Sequence, residues 1–223
     1  HRTHSIPHRR TRLNLELFGG MFNRSGRTLR RLLWKAMLAT IRHPASSAET
    51  TTLVIAHGLY GSGRNWGVIA RRLADRREVV AVDMRNHGES PRFPTQSYPE
   101  MAADLVEVIE NLGPPVDLLG HSMGGKTAMQ LALTRPDLIR RLVVADIAPV
   151  AYSHDQTRNA QAMASLDLGR ITTRAEADAA LAERIEDPAL RALFLQSLDL
   201  RQHPPRWKLN LTVLEAEMPK IVG

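Results

Sequence analysis

The sequence of 223 residues contains no cysteine and few aromatic residues. Its longest apolar runs fall well short of the roughly 18 residues that a membrane-spanning helix needs. Without cysteine, the chain has neither disulfides nor a thiolate-ligated metal site, so a secreted domain held together by disulfides is excluded. The absence fits a reducing compartment. We expect a cytoplasmic protein, or one of the mitochondrial matrix if the source is eukaryotic.

Acidic residues are scarce in the first 50 positions, which contain only Glu16 and Glu49 against ten basic side chains. This stretch holds the whole formal net charge of +7, and the remainder of the chain is close to neutral. We expect residues 1–50 to be a basic leader that is disordered or non-native. A targeting peptide and a nucleic-acid contact are the alternatives. Aromatic residues are too sparse there to favour nucleic acid, so we expect no nucleic-acid partner.

From residue 51 onward, short β-branched and apolar runs alternate with segments of helical periodicity. This alternation predicts right-handed βαβ units and therefore an α/β fold with a mostly parallel sheet flanked by helices. Residues 51–150 form the predicted core. Residues 151–223 show helical patterns and read as a helical lid followed by the start of a return to the core. The predicted strands cover residues 51–56, 78–82, 116–120 and 142–147. Two capping-box patterns, Ser97 with Glu100 and Thr173 with Glu176, predict the starts of two helices.

The pattern Gly-x-Ser-x-Gly occurs once, at Gly120, Ser122 and Gly124, between a predicted strand and a predicted helix. This context is typical of a nucleophile elbow, in which glycines relieve the crowding around a serine in strained backbone geometry. Ser122 is therefore the candidate nucleophile. The alternative is a plain turn in which Ser122 only caps the helix that follows.

A serine nucleophile needs backbone N–H groups directed at the oxyanion that develops during acyl transfer. Two candidates lie beside predicted strand ends: the N–H of Met123, just after the serine, and the N–H of Leu59 in the glycine-rich loop. The alternative is that both loops are merely tight turns.

The same chemistry needs an acid and a base. Asp146 follows the next predicted strand and is the candidate acid, with a capping or bridging role as the alternative. Asp83 reads as structural, pairing with loop donors. We expect His87 to shape the floor of the site. No histidine is a convincing base: His57 and His121 lie in the loop and the elbow themselves, and His154 and His203 lie in the helical segment.

Four motifs together resemble the serine α/β-hydrolases of the AB hydrolase-1 family, and within them the small esterases of the YbfF type and the abhydrolase-domain proteins. The resemblance implies an α/β-hydrolase fold with Ser122 as nucleophile, Leu59 and Met123 as oxyanion donors, and Asp146 as acid. The motifs begin at His57, Asp83, Gly120 and Asp146 and read HGLYGS, DMRNHGESP, GHSMGGK and DIAPV.

The resemblance further implies a carboxylic-ester hydrolase that acts on small to medium acyl esters or thioesters without cofactor or metal. In that family strands precede the first of these motifs, and only one short segment here, around residues 38–42, can stand in for them. Two more strands and a histidine loop follow the lid. We therefore expect a C-terminally incomplete copy with impaired activity. A non-catalytic binding protein on a hydrolase scaffold is the alternative function.

Overall fold

The computed structural model describes residues 37–46, 51–153 and 156–223. Most of the predicted basic leader and His154 lie outside these ranges. The described residues belong to the compact unit that begins at Met37.

A five-stranded sheet forms the centre of this unit, with the strand order β1-β3-β2-β4-β5. Strands β2 to β5 run parallel to one another, and only β1 is antiparallel to its neighbour β3. The α/β class and the mostly parallel sheet predicted from the sequence are confirmed. The strands are β1 (Thr40–His43), β2 (Leu53–Ala56), β3 (Val79–Val82), β4 (Val116–His121) and β5 (Ile139–Ala145).

Strand β1 lies inside the range expected to be a disordered leader, so the sheet begins before residue 50. It pairs in register with β3 from Thr40 opposite Val82 to His43 opposite Val79. The segment around residues 38–42, which could stand in for the family's first strands, is therefore largely a strand, and the basic side chain of Arg42 lies at the surface, where it pairs with Glu78.

Alternate residues of the central strands pack on opposite faces of the sheet, as the two-residue period of a strand requires. Leu53 and Ile55 of β2 pack with α1 (Gly67–Leu73) through Ala70, whereas Val54 belongs to the larger core on the other face. That larger core includes buried residues of α2 (Tyr98–Leu112) and α3 (Met123–Thr134).

Helix α2 begins where the sequence places it. Ser97 and Glu100 form the predicted capping box, and Gly113, at φ +88°, follows the last helical residue. Glycine adopts this left-handed conformation without the steric strain that a Cβ would add.

The segment after residue 150 is mainly helical, as expected. Thr173 and Glu176 form the second predicted capping box. A two-stranded hairpin, which the sequence did not predict, interrupts the helices. The elements are α4 (Thr157–Ala164), α5 (Arg174–Ala182), α6 (Pro188–Leu195), β6 (Leu198–Asp199), β7 (Arg206–Trp207), α7 (Leu211–Ala216) and α8 (Met218–Val222). Over the three described ranges, no helix has the length and apolar character needed to cross a membrane.

Candidate active site

Ser122 stands in a sharp turn between β4 and α3, with φ 50° and ψ −119°. A residue with a Cβ rarely adopts a positive φ, and such strain is typical of functional positions. The glycines around it are sterically required. A Cβ on Gly120 would lie 2.2 Å from the carbonyl oxygen of Gly124, and a Cβ on Gly124 would lie 2.3 Å from that of Ala56. The Ser122 side chain makes no capping hydrogen bond, so the geometry does not support the plain helix-cap alternative.

The glycine-rich loop after β2 lies directly against this turn. A Cβ built on Gly58 would be 3.1 Å from the Cβ of Ser122. Within the part of the chain that the structure describes, neither the N–H of Leu59 nor that of Met123 has an acceptor. Both residues line the cavity beside Ser122. The arrangement therefore leaves two backbone donors available next to the serine.

Two buried histidines hold this loop. His57 accepts the N–H of Met84 on Nε2 at 2.9 Å, so its Nδ1 carries the proton and donates to the carbonyl oxygen of Gly58 at 2.8 Å. His87 accepts the N–H of Tyr60 on Nε2 at 3.2 Å and donates from Nδ1 to the carbonyl oxygen of Arg85 at 2.7 Å.

Burial keeps both imidazoles neutral. Desolvation lowers the pKa of His57 to about 4 and that of His87 to about 3, because each ring is almost completely removed from water. Both nitrogens of each ring are already occupied by main-chain groups. Neither side chain is available as a base for Ser122, and His87 forms part of the support beneath the site, as the sequence suggested.

Tyr60 connects the loop to the helical segment. It has φ 63°, its hydroxyl donates to the carbonyl oxygen of Gln156 at 2.8 Å, and its ring contacts Phe194 of α6 edge-on at 5.3 Å. Its own carbonyl oxygen accepts a hydrogen bond from the hydroxyl of Ser197 at 3.4 Å.

Asp146 lies at the end of β5, next to the elbow, since the N–H of Ser122 donates to the carbonyl oxygen of Ala145 at 3.0 Å. Its backbone is left-handed, with φ 57°, and its side chain is 88% exposed. The carboxylate lies 3.6 Å from Nε2 of His121, whose ring contacts Trp66. No backbone group caps the Asp146 side chain among the described residues, so the geometry gives no support to the capping alternative.

The other candidate side chains lie elsewhere. Asp83 accepts the N–H groups of Gly63 at 2.7 Å and Glu89 at 2.8 Å, one on each carboxylate oxygen, which confirms the structural role expected for it. His203 is exposed and does not line the cavity. Across the described ranges, no histidine forms a hydrogen bond with the hydroxyl of Ser122.

A cavity of about 180 Å³ opens beside Ser122, between the elbow and the helical segment. Its wall is mainly apolar and aromatic, and the sequence alone did not identify most of it. Lys126 differs from the apolar and aromatic residues of this wall because its side chain is cationic. The sequence spacing could have identified this residue, because Lys126 lies four residues after Ser122 and therefore on the same face of α3. The wall includes Tyr98, Tyr152, Leu190, Leu193, Phe194 and Ile221.

No group of three or more metal-binding side chains occurs among the residues described. The site as placed by the structure consists of a strained serine, two backbone donors, an exposed carboxylate and an apolar cavity.

The family model described as alpha/beta hydrolase fold matches residues 51–217, three quarters of the chain. The chain therefore belongs to the α/β-hydrolase family, as the four motifs suggested.

Within this family, the chain is 38% identical to the sn-1-specific diacylglycerol lipase ABHD11 of Danio rerio over 185 residues, which cover 78% of the chain and 58% of that protein. It is also 38% identical to esterase YbfF of Escherichia coli K12 over 181 residues, covering 78% of the chain and 68% of that protein. A solved structure of a marine microorganism esterase superposes with a TM-score of 0.78 at 36% identity, covering 84% of the chain and 74% of the esterase. The chain thus spans about three fifths of the length of the curated lipases that it matches.

Proposed function

We propose that the protein is a carboxylic-ester hydrolase that acts through an acyl-enzyme on Ser122. The observation that carries the proposal is the backbone of Ser122, strained at φ 50° between glycines that no other residue can replace, beside two N–H donors without an acceptor in the described structure. The relatives named esterase and diacylglycerol lipase support this class of reaction.

In the proposed reaction, the oxygen of Ser122 attacks the ester carbonyl while its proton passes to a base. The N–H groups of Leu59 and Met123 stabilise the negative oxygen of the tetrahedral intermediate. The intermediate collapses, the C–O bond to the leaving group breaks, and the alcohol departs with the proton. Water then cleaves the acyl-enzyme by the same steps.

We assign to Asp146 the role of the acid that orients the base. Its exposed carboxylate at the end of β5, beside the elbow, is accessible to an imidazole. The proposal assigns no base, because none of the described histidines forms a hydrogen bond with the hydroxyl of Ser122.

The cavity supports acyl groups of small to medium size. Its volume is about 180 Å³ and its wall is mainly apolar, as is typical of a site that binds an apolar group of limited size. Esters or thioesters of such acids are the proposed substrates, without cofactor or metal. A cytoplasmic or matrix location, which the lack of cysteine supports, completes the proposal.

A fluorophosphonate probe tests the nucleophile directly, because it forms a covalent adduct with an activated serine. We expect the wild-type chain to be labelled at Ser122, with the adduct located by mass spectrometry, and to hydrolyse p-nitrophenyl butyrate. Ser122→Ala should abolish both signals. Ser165→Ala, at the end of α4 and outside the cavity, is the matched control and should retain both.

The second candidate is a non-catalytic binding protein on this scaffold. The observation that favours it is that no described histidine forms a hydrogen bond with the hydroxyl of Ser122. It predicts that ester ligands bind to the wild-type chain, while labelling and hydrolysis stay at the level of Ser122→Ala. That outcome would reject the esterase proposal.

A further inference from the structure

Gln96 is a polar residue at a position where helices often have an apolar one. It directly precedes Ser97, the N-cap of α2, and its side chain is fully buried. A hydrophobic residue before the N-cap often packs against the fourth residue of the helix, which here is Met101. Gln96 contacts Met101 through its amide nitrogen, which lies 3.1 Å from the sulfur. Because a buried amide costs free energy unless its polar groups find partners, these partners indicate what the side chain does.

The orientation of the Gln96 amide follows from its neighbour Asn86. Oδ1 of Asn86 accepts the backbone N–H of Phe93 at 2.8 Å, and Nδ2 donates to the carbonyl oxygen of Thr95 at 3.0 Å. Since a backbone N–H can only donate and a carbonyl oxygen can only accept, the Asn86 amide cannot be reversed. Its Nδ2 also donates to Oε1 of Gln96 at 2.9 Å. The oxygen of Gln96 therefore faces Asn86, and its NH2 group faces the other way.

The NH2 group of Gln96 reaches the nucleophile elbow. Its Nε2 lies 3.6 Å from the sulfur of Met123, the residue directly after Ser122, a distance that suits the large sulfur atom. A thioether sulfur is a weak acceptor, but here it is removed from water, because Met123 is only 2% exposed. The amide of Gln96 therefore connects the start of α2 to the first residue of α3.

The backbone of Met123 is held on one side only by its own helix. Its carbonyl oxygen accepts the hydroxyl of Thr127 at 2.9 Å. Its N–H has no partner within α3, because the first N–H groups of a helix have no preceding carbonyl to bond. The direction of this N–H therefore depends on how the rest of the residue is held, and Gln96 holds the side chain.

We propose that Gln96 is a positioning residue, which fixes the side chain of Met123 and thereby directs the Met123 N–H toward the oxyanion. This inference rests on the proposed function, in which that N–H stabilises the tetrahedral intermediate. Gln96 acts only through Met123 and does not touch the substrate.

Replacing Gln96 with leucine removes both polar groups of the amide and keeps a similar volume. For Gln96→Leu we expect kcat for p-nitrophenyl butyrate to fall about 3- to 10-fold with little change in KM, as the loss of one hydrogen bond between neutral groups allows. Gln161→Leu is the matched control, because this exposed glutamine pairs with Glu215 and should be replaceable without effect. Thermal unfolding verifies the fold of each variant. If Gln96→Leu does not fold, Gln96→Met, with an unbranched side chain, takes its place.

A double-mutant cycle with Met123→Leu distinguishes positioning through the sulfur from a general effect on packing. Met123→Leu removes the sulfur and keeps the backbone N–H. We expect Gln96→Leu to lower kcat in the wild-type background and to have no further effect in the Met123→Leu background. Losses that simply multiply in the double variant would overturn the inference, because Gln96 would then act by another route.

The amide resonance of Met123 gives a measurement that needs no turnover. Labelling with nitrogen-15 methionine restricts the spectrum to the eight methionines of the chain, and the resonance of Met123 is the one that Met123→Leu removes. We expect Gln96→Leu to shift this resonance and to leave that of Met163, in α4, in place.

A Met123 resonance that does not move in Gln96→Leu would overturn the inference, whether or not the chain is active. In an active protein, an unchanged kcat in Gln96→Leu would overturn it as well. If the wild-type chain hydrolyses no ester, the esterase proposal fails on its own, and the resonance alone decides whether Gln96 positions Met123.

Discussion

The imidazole of His57 donates to the carbonyl oxygen of its own neighbour, Gly58, at 2.8 Å. In a trans peptide the C=O and N–H groups point in opposite directions. By fixing the carbonyl of Gly58, His57 therefore fixes the direction of the Leu59 N–H on the other side of the same peptide plane. His57 thus acts through the backbone on the candidate oxyanion donor, the N–H of Leu59.

Replacing His57 should consequently impair the chemical step more than substrate binding. For His57→Phe we expect kcat for p-nitrophenyl butyrate to fall about 10- to 100-fold with little change in KM. The reason is that a wrongly directed N–H no longer stabilises the transition state, whereas substrate binding depends on it little. His57→Gln keeps a donor and an acceptor and should recover part of the activity. Equal loss in both variants, or a change confined to KM, would contradict the positioning role.

Acid should destabilise the fold through the two buried histidines, His57 and His87. The pKa of His57 in the fold is about 4, against 6.5 when unfolded, so between these values the unfolded chain binds more protons. Stability is therefore intact above pH 6.5 and falls as the pH decreases toward 4, by on the order of 3 kcal/mol for this residue alone. His87, at about 3, acts in the same direction over a wider range.

Urea unfolding at a series of pH values from 7.5 to about 4.5 measures this effect. His203→Gln serves as the control, because that histidine is exposed, and it should leave the pH dependence unchanged. A free energy of unfolding that stays constant across the series would show that the buried rings titrate normally.

Gly124→Ala should destabilise the protein by about 1–3 kcal/mol or more, since its Cβ would lie 2.3 Å from the main-chain oxygen of Ala56, which cannot move without displacing β2. Gly67→Ala is the matched control: its Cβ would meet only the flexible end of Arg71, at 3.4 Å. We expect that variant to be neutral or slightly stabilised, as alanine favours a helix. Urea midpoints that shift equally in the two variants would refute the steric argument.

Asp146→Asn should reduce kcat by roughly 10²- to 10⁴-fold if the carboxylate orients the base, as the corresponding loss in a serine triad does. Asparagine tolerates the left-handed backbone at this position, and the side chain is exposed, so the melting temperature should change little. Asp137→Asn, at an exposed surface pair with Arg135, should behave like the wild type in both assays. Unchanged kcat in Asp146→Asn would remove this residue from the mechanism.

Local signals sufficed for the elements that depend on neighbouring residues. The capping box of Ser97 and Glu100 predicted the start of α2, and the spacing of Gly120 and Gly124 predicted the elbow, because crowding between adjacent turns leaves room only for glycine.

Contacts between residues that are far apart in the sequence could not be predicted from local patterns. The Tyr60–His87 hydrogen bond spans 27 residues, and the environment of Lys126 joins α3 to Val222, 96 residues away. The resemblance indicated a strand around residues 38–42, but local composition did not, because β1 lies in a basic segment and is established by its pairing with β3. No local pattern encodes which side chains a fold brings to one cavity.

The two ends of Tyr60 belong to different parts of the molecule. Its N–H, in the glycine-rich loop, donates to Nε2 of His87, and its hydroxyl and ring contact Gln156 and Phe194. The side chain of Tyr60 therefore bridges the helical segment and the loop. Tyr60 directly follows Leu59, so one residue joins the helical segment, which supplies part of the cavity wall, to the loop that carries a candidate oxyanion donor.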